Sequence, residues 1–277
     1  MTMSDDPSAI ALPRPGGDGP GERFELTGLA RGPWQDDAAH GGAPAGLVAR
    51  AAERLGADEG LRLASLSLTF NGPVHLGEVE VRAELVKPGR RQRVVAVAIG
   101  SGDRTLIEGR AVLIRRGDVE LPEEALAAPS VLEGPEGMRP IDRTLWAHGE
   151  GDAFHRTANS VVSVMGGPDR LGIEGAVWIR LDVPLVPDEE ATGAQRAVAA
   201  ADFGNGVAHP VPFGEYLFIN CDLNVSLLRE PEGEWIGLDA RTEIDPNGSG
   251  LTSTRLFDAA GQFGVASQIL YVDRAPG

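Results

Sequence analysis

Twice along this chain a single helix-like run is followed by a series of short strand-like runs. That order constrains the fold more than any other feature. In the first half, "HGGAPAGLVARAAERLGAD" carries Pro44 where a first helical turn tolerates it. Leu47, Ala51 and Leu55 lie four apart with Val48 beside them, and Gly56 ends the run, which is an amphipathic helix. A strand and turn, "RFELTGLARGPW", precede it. Four strand-like runs follow it. In "LASLSLTF", Leu66, Leu68 and Phe70 alternate with Ser65, Ser67 and Thr69, and "GEVEVRAELV" alternates Val79, Val81, Ala83 and Leu85 with charged residues. Period-two alternation is the signature of a sheet with one wet face. "RVVAVAIG" is apolar on both faces, as a central strand is, and "TLIEGRAVLIRR" closes the set.

The second half repeats the scheme. "AFHRTANSVVSVM" and "AVWIRLDVPLV" read as strands, and "GAQRAVAAADFGNGVA" as the second helix. "YLFINCDLNVSLL", "EWIGLDARTEI", "GLTSTRLFD" and "QFGVASQILYVDR" read as four further strands, with turns at "DPNGSG" and "DAAGQ". One helix and then a meander is not alternating βαβ. It predicts an α+β fold of two helix-on-antiparallel-sheet repeats, with the sheets joined edge to edge so that exposed edges are covered. The expected boundaries are a flexible, Pro/Gly-rich arm over 1–21, a first unit over 22–116, a linker over 117–150 with one short helix at "PEEALAA", and a second unit over 151–277.

Charge limits the partners. The formal net charge is −16 over 277 residues, which repels phosphate backbones and argues against nucleic acid and anionic membrane surfaces. No run has the eighteen or so apolar residues of a membrane span, and the N-terminus lacks the basic-then-apolar pattern of a signal peptide. The single cysteine, Cys221, sits in an apolar run and reads as a small core residue. With no disulfide framework, the cytoplasm is the expected compartment.

One residue breaks the second helix. In "VAAADFGNGVAHP", Asp202 interrupts small apolar residues. Asp is a poor helix former, and burying its charge is costly unless it is paired. On a helical wheel it lies between Val198 and Ala199, near Gln195. It is either a partly solvated helix residue or a group with a task. The first helix has no acid until Glu53, so the asymmetry points to the second half. "DFG" at Asp202 matches the kinase triplet by letters only, since no phosphate loop or His-Arg-Asp loop accompanies it. "GxSxG" is absent, which disfavours an α/β-hydrolase. His40, His75, His148, His155 and His209 show no metal-ligand spacing, and neither metal nor cofactor is expected.

Two segments resemble the double-hotdog acyl-CoA thioesterases, the bacterial thioesterase II group and its relatives. "HGGAPAGLVARAAERL…LASLSLTFNGPV" is similar to that family's Gly-Gly start of the first helix and the strand after it. "ADFGNG…INCDLNVSLLREPEGEWIGLDARTEI…GLTSTRLFDAAGQFGVASQ" is similar to its Ser-Asp-Phe helix, Asp-containing strand, Glu-Trp pair and closing strand with Gln. The likeness spans roughly 22–116 and 150–274. It implies a double hotdog that hydrolyses an acyl-CoA through a water activated by Asp202 and oriented by Asn220 and Gln268. Asn220 departs from the family's Thr, and Ala201 from its frequent Ser. Asn still hydrogen-bonds a water, with two donors. Read as strand residues, Asn220 and Gln268 equally suit a wet face.

Gly41 and Gly42 are candidate oxyanion or ligand contacts, because glycine lets a backbone approach closely. His40 beside them is a candidate pocket residue or a surface loop histidine. Arg90, Arg91 and Arg93 in "GRRQR" form either a solvated hairpin or a dock for the CoA phosphates. The family likeness also implies possible homo-oligomers. Two alternatives stand beside hydrolysis: a hotdog that binds acyl-CoA without turnover, and a hotdog enoyl-CoA hydratase. The latter is disfavoured because Asp202, Asn205 and His209 lack its spacing and its proline.

Overall fold

The structure is a computed structural model describing residues 8–16, 21–126, 128, 130–138, 140–141, 151–165 and 171–275. Its first half holds β1 (Ala11–Arg14), β2 (Glu22–Leu26), α1 (Gly42–Arg54), β3 (Leu61–Phe70), β4 (Gly77–Lys87), β5 (Gln92–Ser101) and β6 (Arg104–Arg115). Its second half holds β7 (Asn159–Met165), β8 (Glu174–Leu181), α2 (Gly193–Ala201), the single turn α3 (Gly204–Val207), β9 (Tyr216–Asn220), β10 (Asp222–Leu227), β11 (Trp235–Asp245), β12 (Ser249–Asp258) and β13 (Gly261–Arg274). Among the described residues all the strands share one antiparallel sheet in the order β1-β2-β4-β5-β6-β3-β10-β13-β12-β11-β8-β7, with β9 also on β13.

The halves join at β3 and β10, where Leu68 lies opposite Leu223 and Leu66 opposite Val225. These pairs, Leu47 and Val48 of α1, and Val198 of α2 belong to one continuous buried cluster. The α+β architecture of two helix-on-sheet repeats with joined sheets is therefore as expected, but the two halves share a core. α1 covers β3 to β5, α2 covers its own half of the sheet, and the helices pack on each other. Small residues permit that approach. A side chain at Gly42 would collide with the Ala199 carbonyl oxygen, and one at Gly46 would crowd Leu185.

The polar edge of this helix pair is ionic. Arg50, buried, donates to Glu189 at 2.6 and 2.8 Å and to Glu22 at 3.0 and 3.1 Å. One turn further along α1, Glu53 accepts at 2.8 Å from both Thr192 Oγ1 and Gln195 Nε2. Thr192 is the N-cap of α2, its hydroxyl accepting from the Gln195 N–H.

Five local expectations change. The second helix stops at Ala201, and Asp202 is its C-cap rather than a mid-helix residue, with the chain returning to a single helical turn only at Gly204–Val207. "YLFINCDLNVSLL" bends at Cys221. There the Asp222 carboxylate accepts from the Ile269 N–H at 2.7 Å, replacing a ladder bond, and Cys221 is exposed rather than in the core. Phe154–Ala158 form a π-helical turn ahead of β7 instead of its first residues. The arm expected over 1–21 carries β1, with Ala9, Ile10 and Ala11 fully buried. The described part of the 117–150 linker has a short 3-10 turn at Glu123–Ala125. No helix among the described residues is long and apolar enough to cross a membrane.

Candidate active site

Ending α2 at Asp202 aims its carboxylate across the helix pair at the start of α1. Asp202 is 4% exposed. Its Oδ2 lies 2.9 Å from His40 Nδ1, just ahead of α1. Its Oδ1 accepts from Asn220 Nδ2 at 2.5 Å, at the end of β9. A side chain at Gly41 would come within 2.8 Å of Oδ2, so the glycine is what allows the carboxylate to sit at the N-cap of α1. The site is thus built from both halves.

His40 Nδ1 also lies 3.1 Å from the Gly42 N–H. A neutral or charged imidazole cannot accept from Gly42 and donate to Asp202 through the same nitrogen. The charged acceptor makes the stronger hydrogen bond. Nδ1–H therefore belongs to Asp202, and the Gly42 N–H at the positive end of the helix is left for another acceptor. The His40 ring lies 4.4 Å from Phe203 and 5.1 Å from Phe154, centroid to centroid.

Asp202, His40, Gly41 and Asn220 line a cavity of about 300 Å³. Its remaining walls are mostly apolar, including Trp34, Phe70, Phe213 and Phe218. Trp34, Phe213 and Phe218 pack on one another with centroids 4.7 to 5.6 Å apart. His155 also lines it, with a pKa lowered to about 3 by burial first, then by His40 and Arg156. A histidine so disfavoured as a cation is a neutral wall, not an acid.

The other sequence candidates fall as follows. Gln268 is buried beneath the chain at Asp202. Its Nε2 donates to the Asp202 backbone carbonyl at 3.3 Å, and its Oε1 faces Gly204 beside Thr254 Oγ1. Asp202 and Asn220 are joined through their side chains, whereas Gln268 reaches only the main chain. Arg90 and Arg91 are exposed in the β4–β5 hairpin, and Arg93 pairs with Glu59 at 3.2 Å beyond the C-terminus of α1. A 13-residue helix is about 20 Å long, so the arginines lie at the opposite end of α1 from His40. His75 is exposed on Asp37, His209 packs 4.9 Å from Phe213, and His148 lies outside the described residues.

The sequence reading weighed Asn205 only for the hydratase alternative and missed its bond to Asn220, to whose Oδ1 it donates at 2.7 Å. The available signal was its place one helical turn after Asp202. It also missed the aromatic wall and the place of His155 in it, because these residues lie far apart in the chain.

Two helix-on-sheet repeats with an acid and a histidine meeting between their helices define a double-hotdog protein. Residues 30–114 match the model of the acyl-CoA thioesterase N-terminal domain, and residues 122–272 that of the C-terminal domain. The chain belongs to the acyl-CoA thioesterase family. Among solved structures it is similar to a conserved hot dog fold protein of unknown function from Alicyclobacillus acidocaldarius, at 16% identity over 100% of both chains and a TM-score of 0.71. It is also similar to a tesB protein of Mycobacterium avium subs paratuberculosis, at 17% identity over 94% of this chain and 95% of that one, with a TM-score of 0.66. A third is the acyl-CoA thioesterase II TesB2 of Mycobacterium marinum, at 16% identity over 90% and 97% of the two chains, with a TM-score of 0.60. A sequence search of curated proteins finds no match.

Proposed function

We propose that the protein hydrolyses an acyl-CoA to the free acid and CoA, with Asp202 as the general base. The observation that carries this reading is the buried Asp202 carboxylate at the cavity wall, held by Asn220 and His40 beside the start of α1. Asn220 occupies Oδ1 and His40 one lone pair of Oδ2, which leaves the second lone pair of Oδ2 to a water. Asp202 takes a proton as that water adds to the thioester carbonyl carbon. The developing oxyanion meets the Gly41 and Gly42 N–H groups at the helix N-terminus. The carbon–sulfur bond then breaks, and the proton leaves with the CoA thiolate. Gln268 holds the Asp202 main chain, and its amide is the third member of the set that the family likeness implies.

The test is CoA release from acyl-CoAs of graded chain length, followed with a thiol reagent. Loss of a general base costs about 10²- to 10⁴-fold, so Asp202→Asn should lower kcat/KM by that order. Turnover equal in wild type and Asp202→Asn rejects the reading. Tight acyl-CoA binding without turnover, unchanged in Asp202→Asn, supports the binding-only alternative.

The His40–Asp202 contact favours one further reading, reversible hydration of an enoyl thioester. One group would deprotonate water for attack at the β-carbon while the other protonates the α-carbon. Loss of enoyl absorbance from a crotonyl-CoA-type substrate would support it, and stable absorbance with concurrent CoA release would reject it.

A further inference from the structure

We infer that Asn205 is a positioning residue that fixes which end of the Asn220 amide faces Asp202. This rests on the hydrolytic reading of Asp202 for its consequence in turnover, but not for its geometry. An asparagine side chain is nearly symmetric in shape, so packing alone does not choose between its oxygen and its nitrogen. The choice matters here. With Nδ2 toward Asp202 the contact is a donor on a carboxylate. Turned over, it would set Asn220 Oδ1 against Asp202 Oδ1, lone pair against lone pair, in a buried site.

The structure contains a device that makes the choice. Asn205, 8% exposed, directs its Nδ2 at two acceptors, the Phe218 backbone carbonyl at 3.2 Å and Asn220 Oδ1 at 2.7 Å. A backbone carbonyl only accepts, and it cannot turn over. It therefore fixes the Asn205 amide, which fixes Asn220, which presents its N–H to Asp202 Oδ1 at 2.5 Å. Asn205 donates in both directions, and from it the donors run one way through Asn220 to the carboxylate. Such chains of hydrogen bonds also strengthen one another in a low-dielectric interior. Geometry follows from the local fold. Asn205 lies on α3, one turn beyond Asp202, and Asn220 and Phe218 are both on β9. A threonine in place of Asn220 would need no such device, since a hydroxyl rotates freely and is donor and acceptor at one atom.

The experiment uses Asn205→Leu, which keeps the volume without the donor, and Asn205→Ala, which keeps neither. Both should lower kcat for the best acyl-CoA at least tenfold with KM within about twofold. A packing role would spare Asn205→Leu. In an Asn220→Thr background, Asn205→Leu should change kcat less than twofold. Equal losses in both backgrounds overturn the inference. A second readout needs no turnover: the side-chain amide protons of Asn220, assigned by their loss in Asn220→Thr. They should shift in Asn205→Leu or Asn205→Ala toward the position of a solvated amide, and unchanged resonances in both variants overturn the proposal. If wild type releases no CoA, the hydrolytic reading falls while the amide resonances still decide the role of Asn205.

Discussion

At the scale of single residues, His155 converts burial into a pH dependence. An exposed imidazole titrates near 6.5, while burial, then His40, then Arg156 hold His155 down to about 3. Between these values the unfolded chain binds a proton that the folded chain refuses. This contribution to stability is therefore complete above about pH 6.5 and is lost as the pH falls toward 3. At about 1.4 kcal/mol per unit, roughly 2 kcal/mol is gone by pH 5. His155→Phe removes the titration. Denaturant unfolding at pH 7 and 5 should show wild type losing about 2 kcal/mol more than His155→Phe; parallel losses would show that His155 titrates normally. The same scale shows why part of the site was legible. Asp202 could be singled out because a carboxylate among small apolar residues has to be paid for by pairing. The bond from Asn205 to Asn220 could not be read, since an Asn between two glycines is also what a plain turn contains. Nor could the direction of Gln268, because strand alternation assigns a face without naming the backbone that lies over it.

Elements set the distance between His40 and Asp202, and the α1–α2 contact is held at one end by a half-buried acid. Glu53 has its pKa raised, first by burial, against the lowering effect of its bonds from Gln195 and Thr192. A carboxylic acid whose folded pKa lies above its unfolded value is most favourable to stability below the unfolded value. That contribution is lost as pH rises through the folded pKa, so ionised Glu53 opposes folding at neutral pH. Both hydrogen bonds end on one oxygen, Oε2. Glu53→Gln keeps an oxygen there and removes the charge. It should therefore be at least as stable as wild type at pH 8, with the advantage shrinking toward pH 4, whereas Glu53→Ala should be less stable. A Glu53→Gln protein that melts below wild type at pH 8 would show that the charge itself is required. The two helices were legible from their apolar spacing, but their mutual approach was not. Gly42 was read as a ligand contact and Gly46 was not singled out, whereas Ala199 and Leu185 of the other half explain why both are glycine. The bend at Cys221 was hidden for a similar reason: Asp222 replaces a ladder bond with a side chain, which leaves no trace in period-two alternation.

Among the described residues one sheet packs on α1 and α2, and the halves of the molecule are tied at more than the β3–β10 seam. The second tie is the segment that composition assigned to a loose arm. Thr27 N–H donates to the Ile10 carbonyl at 3.0 Å, and β1 pairs with β2, so this segment belongs to the first half. Yet Ile10 N–H donates to Pro184 O at 3.1 Å and Ala11 N–H to Leu185 O at 2.9 Å, in the second half. Leu185 is in turn the residue that lies against Gly46 of α1. The strap therefore closes a loop from β2 through the second half and back to the helix pair. Acidic, Pro/Gly-rich surroundings concealed it, because "AIALPR" is too short to register as a strand on its own. Ile10 is its anchor, fully buried. Truncating a buried isoleucine to alanine costs about 2–5 kcal/mol, while a change in a solvated arm stays within roughly 0.5 kcal/mol. Ile10→Ala should fall in the first range by denaturant unfolding. Because Ile10 lies on this strap and does not line the cavity, kcat for CoA release should stay near wild type at temperatures where the variant is folded. A change below roughly 0.5 kcal/mol would return residues 8–14 to the status of an arm. A large loss of kcat in fully folded Ile10→Ala would instead mean that the strap sets the position of α1, and with it the distance from His40 to Asp202.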